Sequence, residues 1–401
     1  MMKIGVISEK KIPTDSRVCL TPSHCRYIKD QGIEIIVEPS DVRVFSDEEY
    51  RDAGIELGSD LSDCDVLVGV KEVPIESLIA EKTYFFFSHT FKEQVYNRGL
   101  LQEVLKRKIR LIDYEAITDD SGRRLIAFGK FAGIVGAHNG IYTYLQGAIP
   151  RMKDFYNYEE AKQFYKTLKL PKMKIALTGT GRVANGAASV LDDMGIKKVS
   201  ALDYATHEFE HAVYTQLHSF YYAKRKDGQV FDNVEDFYNE PDAYESDFEN
   251  FLPMTDLFIN GIYWDKRAPA FFTKEDMKSD DFKINTIADI TCDIAPESSI
   301  PSTIRPSTIE DPIYGYQVAT GVETEPYGEG VVNVMAIDNL PNELPRDASE
   351  AFGDMFLKYV FPEMLKEESE MLRRASITTN DGYLNEPFEY LQNFVNHPTE
   401  Q

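Results

Sequence analysis

Cysteine is scarce in this chain, and basic residues are outnumbered. The four cysteines, Cys19, Cys25, Cys64 and Cys292, form no C-x-x-C pair, so neither a zinc site nor a disulfide framework is indicated, and reduced structural thiols are expected. Lysine and arginine number 43 against 67 aspartates and glutamates, a formal net charge of -24. That balance argues strongly against nucleic-acid binding, which needs a basic face to neutralise phosphates. Long hydrophobic runs are missing too. The opening "MMKIGVISEKK" is no signal peptide, and nothing elsewhere reaches membrane-spanning length. A soluble, cytoplasmic protein is expected.

What is present is globular. With 43% hydrophobic residues over 401 positions, the chain can build two or three cored domains. "KIGVI", "IEIIVEP", "DVLVGV" and "YFFFSH" read as strands with helical stretches between them. Such alternation predicts a parallel sheet with helices on both faces. The pattern restarts near residue 171: "KMKIALTGTG" is a strand, 183–194 a helix, and "KKVSALD" the next strand. The segment 205–253, rich in Tyr, Phe, Asp and Glu, reads as an inserted excursion. Strands resume with "DLFINGIYW" and "NTIADITCD", and 345–401 is helical, then irregular. No internal sequence repeat is found. The expected fold is α/β, with two Rossmann-like, doubly wound parallel-sheet domains separated by a cleft.

"TGTGRVA" places Gly179, Thr180, Gly181, Arg182, Val183 and Ala184 in a G-x-G-x-x-A pattern between strand and helix. Gly179 allows the tight turn, Gly181 lets the backbone approach a pyrophosphate, and the helix N-terminus faces negative charge. Asp203, about 20 residues on, would end the next strand, where a carboxylate binds ribose hydroxyls. The blander reading is a glycine turn beside an N-cap-like aspartate.

Ligands gather at the carboxyl ends of parallel strands. Three first-half strands end there in ionisable residues: Lys71 and Glu72; His89 and Lys92; Asp113 and Glu115. Each alone has an ordinary explanation, His89 as a packed strand-end histidine and Arg123–Arg124 as a solvated turn. Together at one sheet edge they make an acid–base set, since burial and neighbours bring a lysine towards neutral pH.

"SRVCLTP", "GVKEVP", "FFFSHTFK", "LIDYE" and "GRRLIAFGKFAG" resemble the substrate half of the superfamily of alanine dehydrogenase, transhydrogenase and lysine-forming saccharopine dehydrogenase. "LFINGIYW", "AIDNLPNELPRDASEAFGDMF", "TIEDPIYGY" and "ASITTNDGYL" look more like the lysine–2-oxoglutarate reductase domain, the N-terminal half of bifunctional aminoadipic semialdehyde synthases. The resemblance runs from residue 3 to about 395 and includes the insertion. It implies a discontinuous substrate domain, 1–135 with 345–401, around a dinucleotide domain, 136–344. The implied reaction is reductive condensation of L-lysine with 2-oxoglutarate to saccharopine, or its reverse, with NAD(P)H. Lys71 and His89 would then move protons, Glu72 and Glu115 tune them, and Arg17, Arg124 and Lys92 hold carboxylates. Ile262, Tyr263, Asp338 and Asn339 would join the glycine turn around the cofactor. The resemblance favours NADPH, whereas Asp203 favours NADH by repelling a 2′-phosphate; on the residue chemistry NAD(H) is expected. An alanine-dehydrogenase-like enzyme and a non-catalytic cofactor-binding regulator are the competing readings.

Overall fold

The structure is a computed structural model that describes residues 2–398. Met1 and 399–401, the outermost positions of the expected first domain, lie outside the described residues. The chain divides into two compact units. Residues up to Phe128 and from Pro345 onward form one, and Gly129–Leu344 the other. The helix Gly129–Tyr144 lies wholly in the second unit, so a boundary at 135 would cut it. Its glycines explain the attachment. A side chain at Gly133 would collide with the Val183 carbonyl, and one at Gly186 with the Lys130 carbonyl, so this helix and Arg182–Asp193 touch backbone to backbone.

The first unit holds six strands: β1 (Lys3–Val6), β2 (Glu34–Val37), β3 (Glu56–Leu57), β4 (Val66–Val68), β5 (Thr83–Phe86) and β6 (Arg110–Asp113). They form one parallel sheet in the order β3-β2-β1-β4-β5-β6. The order reverses between β1 and β4, which places the ligand crevice of such a sheet at their carboxyl ends. The aromatic run serves both faces. Phe85 and Phe87 enter one core with Tyr114 and Phe352, while Tyr84 and Phe86 enter the opposite one. A strand buried on both faces has no use for polar residues, so its polarity is confined to the end.

The second unit adds β7 (Lys174–Thr178), β8 (Lys197–Lys198), β9 (Val213–Leu217), β10 (Ala223–Arg225), β11 (Tyr244–Ser246), β12 (Leu257–Asn260), β13 (Thr286–Asp289), β14 (Tyr314–Gln317), β15 (Val322–Thr324) and β16 (Val331–Met335). Eight of them make a sheet in the order β15-β14-β16-β13-β12-β7-β9-β8. It is parallel from β16 to β8, while β14 pairs antiparallel with β16 and β15. Two sequence expectations are corrected here. "KKVSALD" is not one strand: only Lys197–Lys198 join the sheet as a strand, and Asp203 lies in the first turn of the helix Ala201–Thr206. The Ser200 hydroxyl caps that helix by accepting the Asp203 N–H at 3.0 Å, which stops the strand. Nor is 205–253 all excursion, because β9 is a core strand paired with β7 along its whole length. The true protrusion follows it, an antiparallel β10–β11 pair and the helix Val234–Asn239 around Ala223, Phe237 and Tyr244.

All four cysteines are free thiols. Among the described residues no helix is long and apolar enough to cross a membrane.

Candidate functional site

In the first unit the ends of β1, β4, β5 and β6 converge on one cluster. Lys71 lies just past the end of β4, after Gly69 and Val70, and is half-buried. Among the described residues its amine has no hydrogen-bond or ion-pair partner, and burial, aided by the Arg17 and Lys11 charges, pushes it below the usual lysine range. His89 follows β5 with its backbone in the left-handed region, φ 54°, a conformation costing a non-glycine residue roughly 1–2 kcal/mol. Asp113, wholly buried at the end of β6, holds that turn. One of its oxygens accepts the Ser88 and His89 N–H groups at 2.7 and 3.1 Å and the Ser88 hydroxyl at 2.6 Å. Asp113 is therefore a brace under His89 rather than a group facing a ligand.

Glu72 lies 3.0 Å from His89 Nδ1 and accepts from the Lys11 amine at 2.7 Å. Burial alone would raise its carboxyl, but those two hydrogen bonds hold it at about 2. Glu115 faces other partners, Lys92 at 2.5 Å and Arg124 at 2.9 Å. Burial pushes its carboxyl up, yet Arg124 and Lys92 outweigh that and keep it below the usual range. Glu72 thus bears on His89 directly, whereas Glu115 orders the cations expected to bind carboxylates. Arg17 is 2% exposed, doubly bonded to Asp15 at 2.9 and 2.5 Å, and stacked 4.2 Å over the Phe128 ring. Arg124 lies 5.8 Å from the Phe87 ring centroid. Arg123 pairs with Asp119 in an exposed turn, its blander reading.

Sequence reasoning missed Glu9, although β1 ends at the same edge as β4. Its carboxylate accepts the Val70 and Lys71 N–H groups at 2.6 and 2.8 Å, fixing the backbone from which Lys71 projects. The residue is only half-buried, but protein encloses the carboxyl itself, and that burial raises it from 4.5 to about 8 against the two hydrogen bonds. A raised carboxyl means that the folded chain keeps a proton the unfolded chain releases. Its effect on stability is absent below about pH 4.5, grows increasingly unfavourable up to about pH 8, and is constant beyond. Glu9→Gln should flatten this slope: between pH 5 and pH 8, urea-unfolding free energies of the variant should fall less than those of wild type. Equal falls would show Glu9 ionised in the fold.

In the second unit the glycine turn after β7 has the shape a pyrophosphate requires. Gly179 takes φ +101°, and a side chain there would come within 2.8 Å of the Gly261 carbonyl. A side chain at Gly181 would meet nothing within 4 Å, so that face of the turn is open. Gly181 also caps the 12-residue helix Arg182–Asp193 without a side-chain acceptor, leaving its first N–H groups to a ligand. These residues fit a nicotinamide dinucleotide. Gly179, Thr180 and Gly181 line a cavity of about 550 Å³ with Ile262 and Tyr263, within the roughly 300–1,000 Å³ of small-molecule sites. Other expected cofactor residues lie off its walls. Val183 packs against Gly133, Arg182 opens the helix, Asp338 and Asn339 precede the turn Leu340–Glu343, and Asp203 is exposed and bonded to the Ser200 hydroxyl at 2.7 Å.

Known proteins resemble the chain in sequence and in fold. Residues 5–135 match the alanine dehydrogenase/PNT N-terminal domain family. The chain is 31% identical to the mouse alpha-aminoadipic semialdehyde synthase, mitochondrial, over 94% of its own length and 46% of that protein. It is 30% identical to the Arabidopsis thaliana alpha-aminoadipic semialdehyde synthase, over 97% of this chain and 41% of the relative. The chain therefore spans about half the length of these relatives. The NAD(+)-dependent, L-lysine-forming saccharopine dehydrogenase of Emericella nidulans is 26% identical, across 93% of this chain and 95% of that one. Among solved structures an L-alanine dehydrogenase superposes with a TM-score of 0.65 at 16% identity, covering 98% of this chain and all of the other. A transhydrogenase from Sinorhizobium meliloti gives 0.59 at 13% identity, over 95% and 99% of the two chains. The fold is that of alanine dehydrogenase, and the resemblance read from the sequence motifs is real.

Proposed function

We propose that the chain is a nicotinamide-dependent oxidoreductase of lysine metabolism that joins the side-chain amine of L-lysine to the ketone of 2-oxoglutarate, giving saccharopine, or runs the reverse. The observation that carries this reading is the Lys71–Glu72–His89 cluster at the strand-order reversal of the first sheet, with Arg17, Arg124 and Lys92 beside it. The relatives named for saccharopine and aminoadipic semialdehyde chemistry support the same substrate class.

The reaction condenses amine and ketone to a carbinolamine, expels water to leave an imine, and reduces that imine. The cofactor, when bound, supplies the hydride. The chain's residues supply binding and protons. Lys71, whose amine is pushed below its usual range, exchanges a proton with the reacting nitrogen. His89 protonates the departing carbinolamine oxygen, its ring fixed through Nδ1 by Glu72. Arg124 holds a substrate carboxylate as a planar fork, Lys92 assists, and Arg17, its fork bonded to Asp15, adds positive charge to the same site. They supply local positive charge in a chain of net charge -24. The free thiols accord with a reducing compartment, cytoplasmic in this reading.

Following cofactor absorbance with lysine plus 2-oxoglutarate, against ammonia plus pyruvate, tests the proposal. Oxidation of the reduced cofactor only with lysine and 2-oxoglutarate is expected. Turnover only with ammonia and pyruvate would make the chain an alanine-dehydrogenase-like enzyme. No turnover with either pair would favour a cofactor-binding regulator.

A further inference from the structure

The cavity beside the glycine turn has a wall built from the protruding β10–β11 region. Strand order decides which half of a dinucleotide that wall meets. β9, not β8, is the neighbour of β7 on the side away from β12, so the end of β9 holds the place where an adenosine ribose is expected. No carboxylate stands there. Gln216 is engaged, its amide donating to the Gly179 carbonyl at 3.0 Å and to Asn185 at 3.1 Å. Immediately after β9 come His218 and Ser219, both lining the cavity. Among the described residues His218 Nδ1 and the Ser219 hydroxyl are closed off from solvent without a hydrogen-bond partner, and Ser219 is 4% exposed. Buried polar atoms are rarely left so, and two of them in adjacent cavity-lining residues point to a ligand's hydroxyl or phosphate. Across from them stand Val234, Phe237 and Tyr238 of the protrusion, with Tyr263 after β12. Aromatic side chains of this kind accept the flat face of a purine.

Resting on the dinucleotide reading above, we propose that the protrusion completes the adenosine half of the cofactor site. Tyr238, backed by Phe237, flanks the adenine, and His218 and Ser219 bond the ribose edge. Asp203, bonded to Ser200 on the exposed helix Ala201–Thr206, takes no part. The insertion is then part of cofactor recognition, and the ribose edge presents nothing that repels a 2′-phosphate.

The test is calorimetric titration of 5′-AMP, 2′,5′-ADP and nicotinamide mononucleotide into the wild-type chain and its Tyr238→Ala, Ser219→Ala and Asp203→Ser variants. Tyr238 is 57% exposed, so its truncation should leave the unliganded melting temperature unchanged. Tyr238→Ala should weaken both adenine nucleotides about tenfold, the size of one lost base–aromatic stack, and leave nicotinamide mononucleotide unaffected. Ser219→Ala should weaken them several-fold, and Asp203→Ser should change nothing. A larger loss for 2′,5′-ADP than for AMP in Ser219→Ala also supports the assignment and puts that hydroxyl against the 2′-phosphate. Wild-type affinity for the adenine nucleotides in both Tyr238→Ala and Ser219→Ala would overturn the inference alone. A wild-type chain that binds neither adenine nucleotides nor the reduced dinucleotides would overturn the dinucleotide reading with it.

Discussion

Lys71→Met and His89→Gln will each lower turnover by about 10² or more while leaving dinucleotide affinity close to wild type. The expectation rests on the separation of tasks along the chain. Both residues follow strands of the first sheet, whereas the glycine turn belongs to the second. Acid–base groups typically contribute 10²–10⁴-fold, and two features mark these as such. The Lys71 amine has no partner among the described residues and is pushed below its usual range by burial, and the His89 ring is tied by Nδ1 to Glu72. Methionine keeps the length of lysine without its proton, and glutamine keeps polarity without the imidazole. Glu72→Gln should show an intermediate loss, because it weakens the tether and leaves both proton carriers in place. Steady-state turnover and calorimetric cofactor binding check all three variants. Near-normal turnover in Lys71→Met and His89→Gln together would place the chemistry elsewhere.

The two arginines should part company on substitution. Arg124→Leu should raise the KM for 2-oxoglutarate about 10- to 100-fold and leave the melting temperature nearly unchanged, since one charge-assisted pair is usually worth about 1.5–3 kcal/mol and the side chain is part-exposed. Arg17→Leu should act on the fold first. It strands Asp15, 1% exposed, without its bidentate partner, and breaking a buried pair typically costs about 3–5 kcal/mol. It also removes the guanidinium stacked on Phe128. Thermal unfolding of both variants, with KM values for the keto acid and the cofactor, separates these effects. An unchanged keto-acid KM in Arg124→Leu would reduce that residue to a partner of Glu115.

The first sheet was legible because strands buried on both faces write themselves as apolar runs, and a parallel sheet puts their polar ends on one edge. Lys71, Glu72 and His89 came from that rule, and Glu9 was available from it too, as the acidic residue shortly after the "KIGVI" strand. The glycine turn was equally plain, because φ +101° at Gly179 admits little besides glycine. The strand expected to end at Asp203 misled because a spacing of about 20 residues presumes that the next strand pairs with the first. Here a capped helix intervenes, and the pairing strand is β9. Its alternating "VYTQL" lay inside a stretch whose aromatic and acidic composition suggested an insertion. His218 and Ser219 were hidden with it, because only strand order gives them a role.

The position of β8 also bears on how the second unit assembles. This two-residue strand pairs with β9 alone, Lys197 opposite Val213 and Lys198 opposite Tyr214, and β9 in turn pairs with β7. The chain leaving the helix Arg182–Asp193 therefore meets an edge that does not exist until residues 213–217 have docked. Closing β7 onto β9 brings together segments about 40 residues apart, a non-local step that precedes any gain from β8. In pulsed hydrogen exchange during refolding, amides of 213–217 should gain protection before that of Val199, which bonds to the Tyr214 carbonyl at 2.9 Å. The strand that comes earlier in the chain is thus the later one to join the sheet, and its lysines, left at the rim, discourage a second chain from adding there.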